Sequence, residues 1–249
     1  LDRSPLITVD MDSDRVNVDE IQRYVEAFTG KMVKPSAVDM SLRLYADELV
    51  ASGVKAKSMA VSASLSQDAL SIGQLKIRDF AGAYIDMKGR IDDLSTTPQG
   101  NIKGTLTASS LNGAVAVLEE YAPDHPLIKR LKTAAPDLAP ASLKAELSAY
   151  AEKGRTDMSL NLFGEVGVSE IDLNGTFEGR IDDFAEGNLY AEMTLGGKDG
   201  VKVLRQLGFE AIPITQLQPG EVRLSLSGSP RDQLAFGFSS DLVGMTVLS

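Results

Sequence analysis

The sequence predicts a mainly β protein with a few short helices, its antiparallel strands repeated into a long, curved β-groove, an open half-barrel. Three observations predict it. Apolar and polar residues alternate with period two along most of the chain, which makes sheets with one apolar and one polar face. The pentapeptide Gly89-Arg90-Ile91-Asp92-Asp93 returns as Gly179-Arg180-Ile181-Asp182-Asp183, in neighbourhoods that also look alike. A strand followed by a short amphipathic helix recurs at a spacing of roughly ninety residues, as expected of a chain built by adding copies of one supersecondary unit.

The strands follow in order. Val38, Met40, Leu42, Leu44 and Ala46 alternate with polar partners, then Met59, Val61, Ala63 and Leu65. Ile85, Met87, Gly89 and Ile91 match Ile171, Leu173, Gly175 and Phe177 of the second copy, and each copy precedes a Gly-Asn step (Gly100-Asn101, Gly187-Asn188) that opens another strand. Leu143 to Ala149, Met158 to Leu162, Leu189 to Leu195, Val222 to Leu226 and Leu234 to Phe238 keep the same rhythm. Turns are expected at Ser52-Gly53, Gln67-Asp68, Lys153-Gly154, Gly164-Glu165 and Gly228-Ser229-Pro230.

Helical spacing marks three corners. Ile21, Tyr24, Val25 and Phe28 follow Asn17 or Asp19 as N-cap; Ala114, Val117, Leu118 and Tyr121 follow Asn112; Val203, Leu204 and Leu207 follow Asp199. A further helix is expected from Pro126 to Ala135. The units read as 1–30, the end of a preceding repeat; 31–121, a first full repeat with its closing helix; 122–208, a second; and 209–249, the start of a third. With no initiating Met and no signal peptide, the chain reads as a fragment of a longer protein.

Composition narrows the function. At 249 residues the chain can bury a substantial core, yet aromatics make up only 6% and Trp is absent, which suits thin sheet structure. A net charge of −10 argues against nucleic-acid binding, which needs clustered Lys and Arg. With no cysteine, thiolate catalysis and disulfides are excluded. Asp10, Asp12 and Asp14 begin like a calcium loop, but Arg15 and Ile21 stand where that loop needs Gly and Glu. Adjacent acids such as Asp92-Asp93 point to opposite faces of a strand and cannot converge on one substrate. Ser52-Gly53-Val54-Lys55 lacks the companion motifs of acyl-transfer enzymes. His125 has no second ligand or nucleophile beside it, and Gly196 to Gly200 has neither phosphate-loop nor dinucleotide spacing. No catalytic residue, metal site or cofactor is expected.

Several segments carry a family resemblance. Asp14 to Tyr24 resembles the strand-to-helix corner of AsmA-like proteins of Gram-negative bacteria. Leu44 to Leu49 with Gly53 to Lys57, Leu70 to Leu75, and Gly82 to Gly89 are similar to the segments that follow it in that family. Gly82-Ala83 departs from the family's Gly-Gly. The likeness covers residues 6–110 best and continues more loosely to the C-terminus. It implies a periplasmic region tethered to the inner membrane by an N-terminal helix outside this sequence. The family is related to TamB and the bridge-like lipid transfer proteins, so the resemblance also implies a β-groove for phospholipid transport between the membranes and for outer-membrane assembly.

The residues lead toward the same place. A one-sidedly apolar sheet either seals its face with its own helices or leaves a gutter for acyl chains, each buried methylene contributing about 0.8 kcal/mol. The expected lining is Ile85, Met87, Ile91, Leu160, Leu162, Ile171, Leu173, Phe177, Leu189, Met193, Leu224, Leu226, Phe236 and Phe238. The alternative is a non-catalytic structural module whose sheet edges pair with envelope proteins or with a second copy of the chain.

Overall fold

The computed structural model describes residues 6–17, 20, 39–51, 53–94, 96–121, 126–152, 155–208, 218–242 and 245–248. The helix expected at Ile21 to Phe28, the turn at Lys153-Gly154 and His125 lie outside these residues.

Period-two alternation produces what it predicts: one open, curved sheet. Its strands are β1 (Leu6–Asn17), β2 (Asp39–Ala51), β3 (Val54–Ala56), β4 (Ser58–Ser66), β5 (Ala69–Phe80), β6 (Ala83–Asp92), β7 (Gln99–Ala108), β8 (Ala141–Glu152), β9 (Arg155–Val166), β10 (Ser169–Gly179), β11 (Asn188–Gly197), β12 (Gly220–Ser229), β13 (Gln233–Leu242) and β14 (Met245–Leu248). Neighbours in sequence are neighbours in space, and β3 alone stands off the path, paired to β2. All described pairings are antiparallel except β1 with β2, which is parallel.

Three described helices interrupt the strands: α1 (Asn112–Tyr121), α2 (Pro126–Ala134) and α3 (Gly200–Gln206). Of the expected caps, Asp199 stands where the sequence put it, whereas Asn112 is the first residue of α1 and its N–H donates to the Ser110 hydroxyl. Asp199 accepts a hydrogen bond from the Lys202 N–H at the start of α3. After β1, Asn17 Oδ1 accepts from the Glu20 N–H at 3.3 Å while its side-chain amide donates to the Glu20 carboxylate at 3.0 Å. The connections from β7 through α1 and α2 to β8, and from β11 through α3 to β12, leave from the same end of the sheet. The β5–β6 and β9–β10 turns lie at that same end, and at the opposite end lie others, including the two-residue turn Gln67-Asp68. Both of its residues have positive φ, 48° and 66°, as the twist of a tight hairpin requires.

Two sequence expectations are corrected. Gly164-Glu165 is not a turn; both residues lie within β9, and the turn comes three residues later at Gly167-Val168. The two Gly-Arg-Ile-Asp-Asp copies do not occupy equivalent places. The first lies in β6 and its turn, whereas the second leaves β10 at Gly179 and continues into a 3-10 segment, Ile181–Glu186. The strand pattern around them does superpose, but at an offset four residues shorter. Ile85, Met87, Gly89 and Ile91 fall in the same cross-strand rows as Ile171, Leu173, Gly175 and Phe177.

The polar face is held by short-range pairing. Residues two apart on a strand share a face, and Tyr45 donates to Asp47, Tyr84 to Asp86, and Tyr190 to Glu192. Those carboxylates push the Tyr45 and Tyr190 hydroxyl pKa values up. Arg90–Asp92 and Arg223–Glu221 repeat the spacing with charge.

The apolar face as candidate functional site

All fourteen predicted lining residues lie on one face of the sheet, in four rows that run across the strands. The first row reads Ile85, Leu106, Leu143, Gly164, Ile171, Leu195, Val222. Alongside it run Met87, Gly104, Ala145, Leu162, Leu173, Met193, Leu224, Phe238. The third row is Gly89, Ile102, Leu147, Leu160, Gly175, Ala191, Leu226, Phe236, and the fourth is Ile91, Gly100, Ala149, Met158, Phe177, Leu189, Gly228, Leu234. The second row continues to the other edge through Leu75, Val61, Leu44 and Met11. From β2 to β13 the strip is roughly 48 Å of arc, at about 4.8 Å per strand.

The rows differ in cover. At the helix end, Val203 and Leu204 of α3 pack on Leu195 and Val222. Ala83, Ala108, Ala141 and Val166 belong to the same buried cluster. A buried clasp fixes this plug. Gln206 accepts from the Ser169 hydroxyl at 2.5 Å, and its amide donates to the carbonyls of Asp137 at 2.8 Å and Val166 at 2.9 Å. At the opposite end, Phe184 from the 3-10 segment stacks on Phe177 with ring centroids 4.6 Å apart. Phe177 is therefore buried at this margin; Ile91, four strands away in the same row, is buried as well.

Between those margins the second and third rows keep solvent access. Ten of the fourteen residues are half-buried, while Leu160 and Phe236 are exposed, at 38% and 67%. Leu173 and Met193 stand opposite each other in the middle of this strip. Leu75, Ile102 and Leu147 line the same rows and were missed from sequence. Leu75 was hidden by an extra residue in β5. Leu70 and Ile72 alternate normally, then Gly73 is inserted, so Leu75 and Ile77 return to the apolar face one residue out of phase. Ile102 and Leu147 showed the ordinary alternation and could have been included.

Two depressions among the described residues open on the polar face. One, of about 1170 Å³, lies across β9–β12 beside Phe163, Glu170, Asp172 and Glu221. The other, of about 470 Å³, lies across β5–β9 beside Lys76, Lys88, Lys103 and Lys144. The apolar strip is a continuous run of partly exposed side chains rather than a closed cavity, and its chemistry is that of non-directional burial along a line. Among the described residues, no three His, Cys, Asp or Glu side chains gather as a metal site, and no helix is long and apolar enough to cross a membrane. Comparison with protein-family models, with curated proteins and with solved structures found no match.

Proposed function

We propose that the chain is a non-catalytic wall segment of a lipid conduit of the AsmA-like kind, its apolar strip receiving phospholipid acyl chains. The observation that carries this reading is the pair of uncovered rows between the α3 plug and the Phe184 strap. A sheet whose only task was to seal a core would cover those rows; here Leu173, Met193 and Leu224 stay half-exposed. Burial of about a dozen methylenes there stabilises a bound chain by up to about 10 kcal/mol before ordering costs, with no polar motif required. Contacts spread evenly along rows favour sliding over trapping at one point. With this reading go a periplasmic location, an inner-membrane tether outside the sequence, and a role in carrying phospholipid toward the outer membrane.

The test is native mass spectrometry of the purified protein, with photo-crosslinking from position 173. Bound phospholipid and a lipid crosslink are expected. Leu173→Asp and Met193→Asp should abolish lipid capture while far-ultraviolet circular dichroism is retained. Unfolding by these substitutions would instead mark the strip as sealed core and sink the proposal.

A second reading, strand addition to an envelope partner, has its own observation. Edge strand β1 is bonded only to β2 among the described residues and exposes Leu6, Ile7, Val9 and Met11 at 66%, 47%, 38% and 36%.

A further inference from the structure

We propose that the polar face carries a second binding site, for a phosphate-class anion, formed by Lys76, Lys88, Lys103 and Lys144 at the β5 bulge. It lies on the opposite side of the sheet from the apolar strip and does not rest on the lipid reading.

Three independent features converge there. The first is charge. Four lysines line one depression together with only two carboxylates, Asp86 and Glu146, in a chain whose net charge is −10. Asp86 takes Lys76 at 3.5 Å; Glu146 takes Lys103 at 2.9 Å and the Asn101 amide at 2.8 Å. Those two donors hold the Glu146 pKa below its ordinary value, so the acid is already engaged. Lys88 has no carboxylate partner among the described residues, and Lys144 lies over the exposed Phe163 ring, 5.9 Å from its centre.

The second feature is register. Lys88 stands directly opposite Lys103. Like charges in that position destabilise a strand pair. An anion between the two amines would remove the repulsion. Lys144 is diagonal to Lys103, because Thr105 pairs with Lys144 and Lys103 with Glu146, and this keeps its long side chain within reach of the same point.

The third is backbone shape. Ile72 pairs with Gly89 and Leu75 with Met87, so Gly73 and Gln74 together oppose the single residue Lys88. A bulge leaves the ladder locally incomplete and re-aims the side chain across from it. Gly73 and Gln74 form one wall of the depression of about 470 Å³ whose other walls carry the lysines. Amine groups and the Thr105 hydroxyl are what a phosphate oxygen shell binds.

The experiment titrates the protein with inorganic phosphate at low salt, followed by amide chemical shifts, beside co-sedimentation with phosphatidylglycerol vesicles. Saturable shifts centred on residues 73–74, 88, 103 and 144 are expected, weakening as salt is raised. Lys88→Gln with Lys103→Gln should weaken phosphate binding at least tenfold. The charge-matched pair Lys198→Gln with Lys202→Gln, on another part of the surface, should leave it unchanged. Vesicle capture that phosphate displaces identifies a lipid headgroup as the source; phosphate shifts without vesicle capture identify a free phosphate compound. The site is overturned if phosphate produces no saturable shifts, or if both lysine pairs weaken binding equally. Leu173→Asp leaves this binding intact, so failure here and failure of the lipid reading are separable.

Discussion

Single glycines decide how closely neighbouring strands approach on the apolar face. Gly164 has φ +146°, and a Cβ there would run into the Ser142 carbonyl oxygen of β8. Gly175, one strand away, has ordinary backbone geometry, and its nearest neighbour to a new Cβ would be the Tyr190 carbonyl oxygen at 3.7 Å. The same substitution should therefore give opposite results. Gly164→Ala is expected to destabilise by about 1–3 kcal/mol, because both sterics and dihedral oppose it. Gly175→Ala should be neutral or stabilising by about 0.4–1 kcal/mol through the unfolded chain. Urea denaturation of the two variants measures both, and equal losses would contradict the assignment. From sequence Gly175 read as strand and Gly164 as a turn, because Gly-Glu is turn-like out of context. What separates them is the cross-strand neighbour, and sequence alone supplies no register.

Among the elements, the helix plug and the β-ladder were legible to different degrees. Alternation placed all fourteen candidate residues on one face because a period of two needs no knowledge of the partner strand. It failed where an element departs from regularity, at the inserted Gly73 of β5 and at the second Gly-Arg-Ile-Asp-Asp copy, which becomes a 3-10 strap. The described helices were found from their spacing, yet their effect on the candidate site was not, because periodicity does not reveal which row a helix covers. Gln206 shows what sets that cover. It is 4% exposed and joins α3 to the β9–β10 turn and to the chain after α2. Gln206→Leu keeps the bulk but leaves the buried carbonyl of Val166 without that donor, at a cost of about 1–3 kcal/mol, and removes the part-buried bond to Asp137. Amide exchange in 200–206 and 167–169 should accelerate, while the hairpins at the far end keep their protection. Uniform acceleration would mean that the plug and the sheet unfold as one unit.

At the scale of the whole molecule, the sheet never closes, so its two long edges become the question. Barrels abolish edges and other sheets blunt them with charge, bulges or covering elements. Here β14 covers part of β13, over four paired residues, while β1 runs its full twelve residues with apolar side chains exposed. Ile7, Val9 and Met11 lie in the fourth, third and second rows, opposite Met40, Leu42 and Leu44. The apolar strip therefore reaches β1 without narrowing and ends there in the open. An edge of this kind is complementary to another strand carrying the same alternation, so the protein should associate through β1 as concentration rises. Sedimentation velocity over a wide concentration range measures this. Ile7→Lys with Val9→Lys sets two charges on the apolar side of the edge and should return the protein to monomer, with little change in denaturation midpoint, since both side chains are already in solvent. A wild-type protein that stays monomeric throughout, or a double variant that associates as strongly, would show that β1 is not an interface. Lipid capture by the monomeric variant would then separate the two functional readings: a trough binds acyl chains without a partner, whereas a module acting only by strand addition loses its activity with the edge.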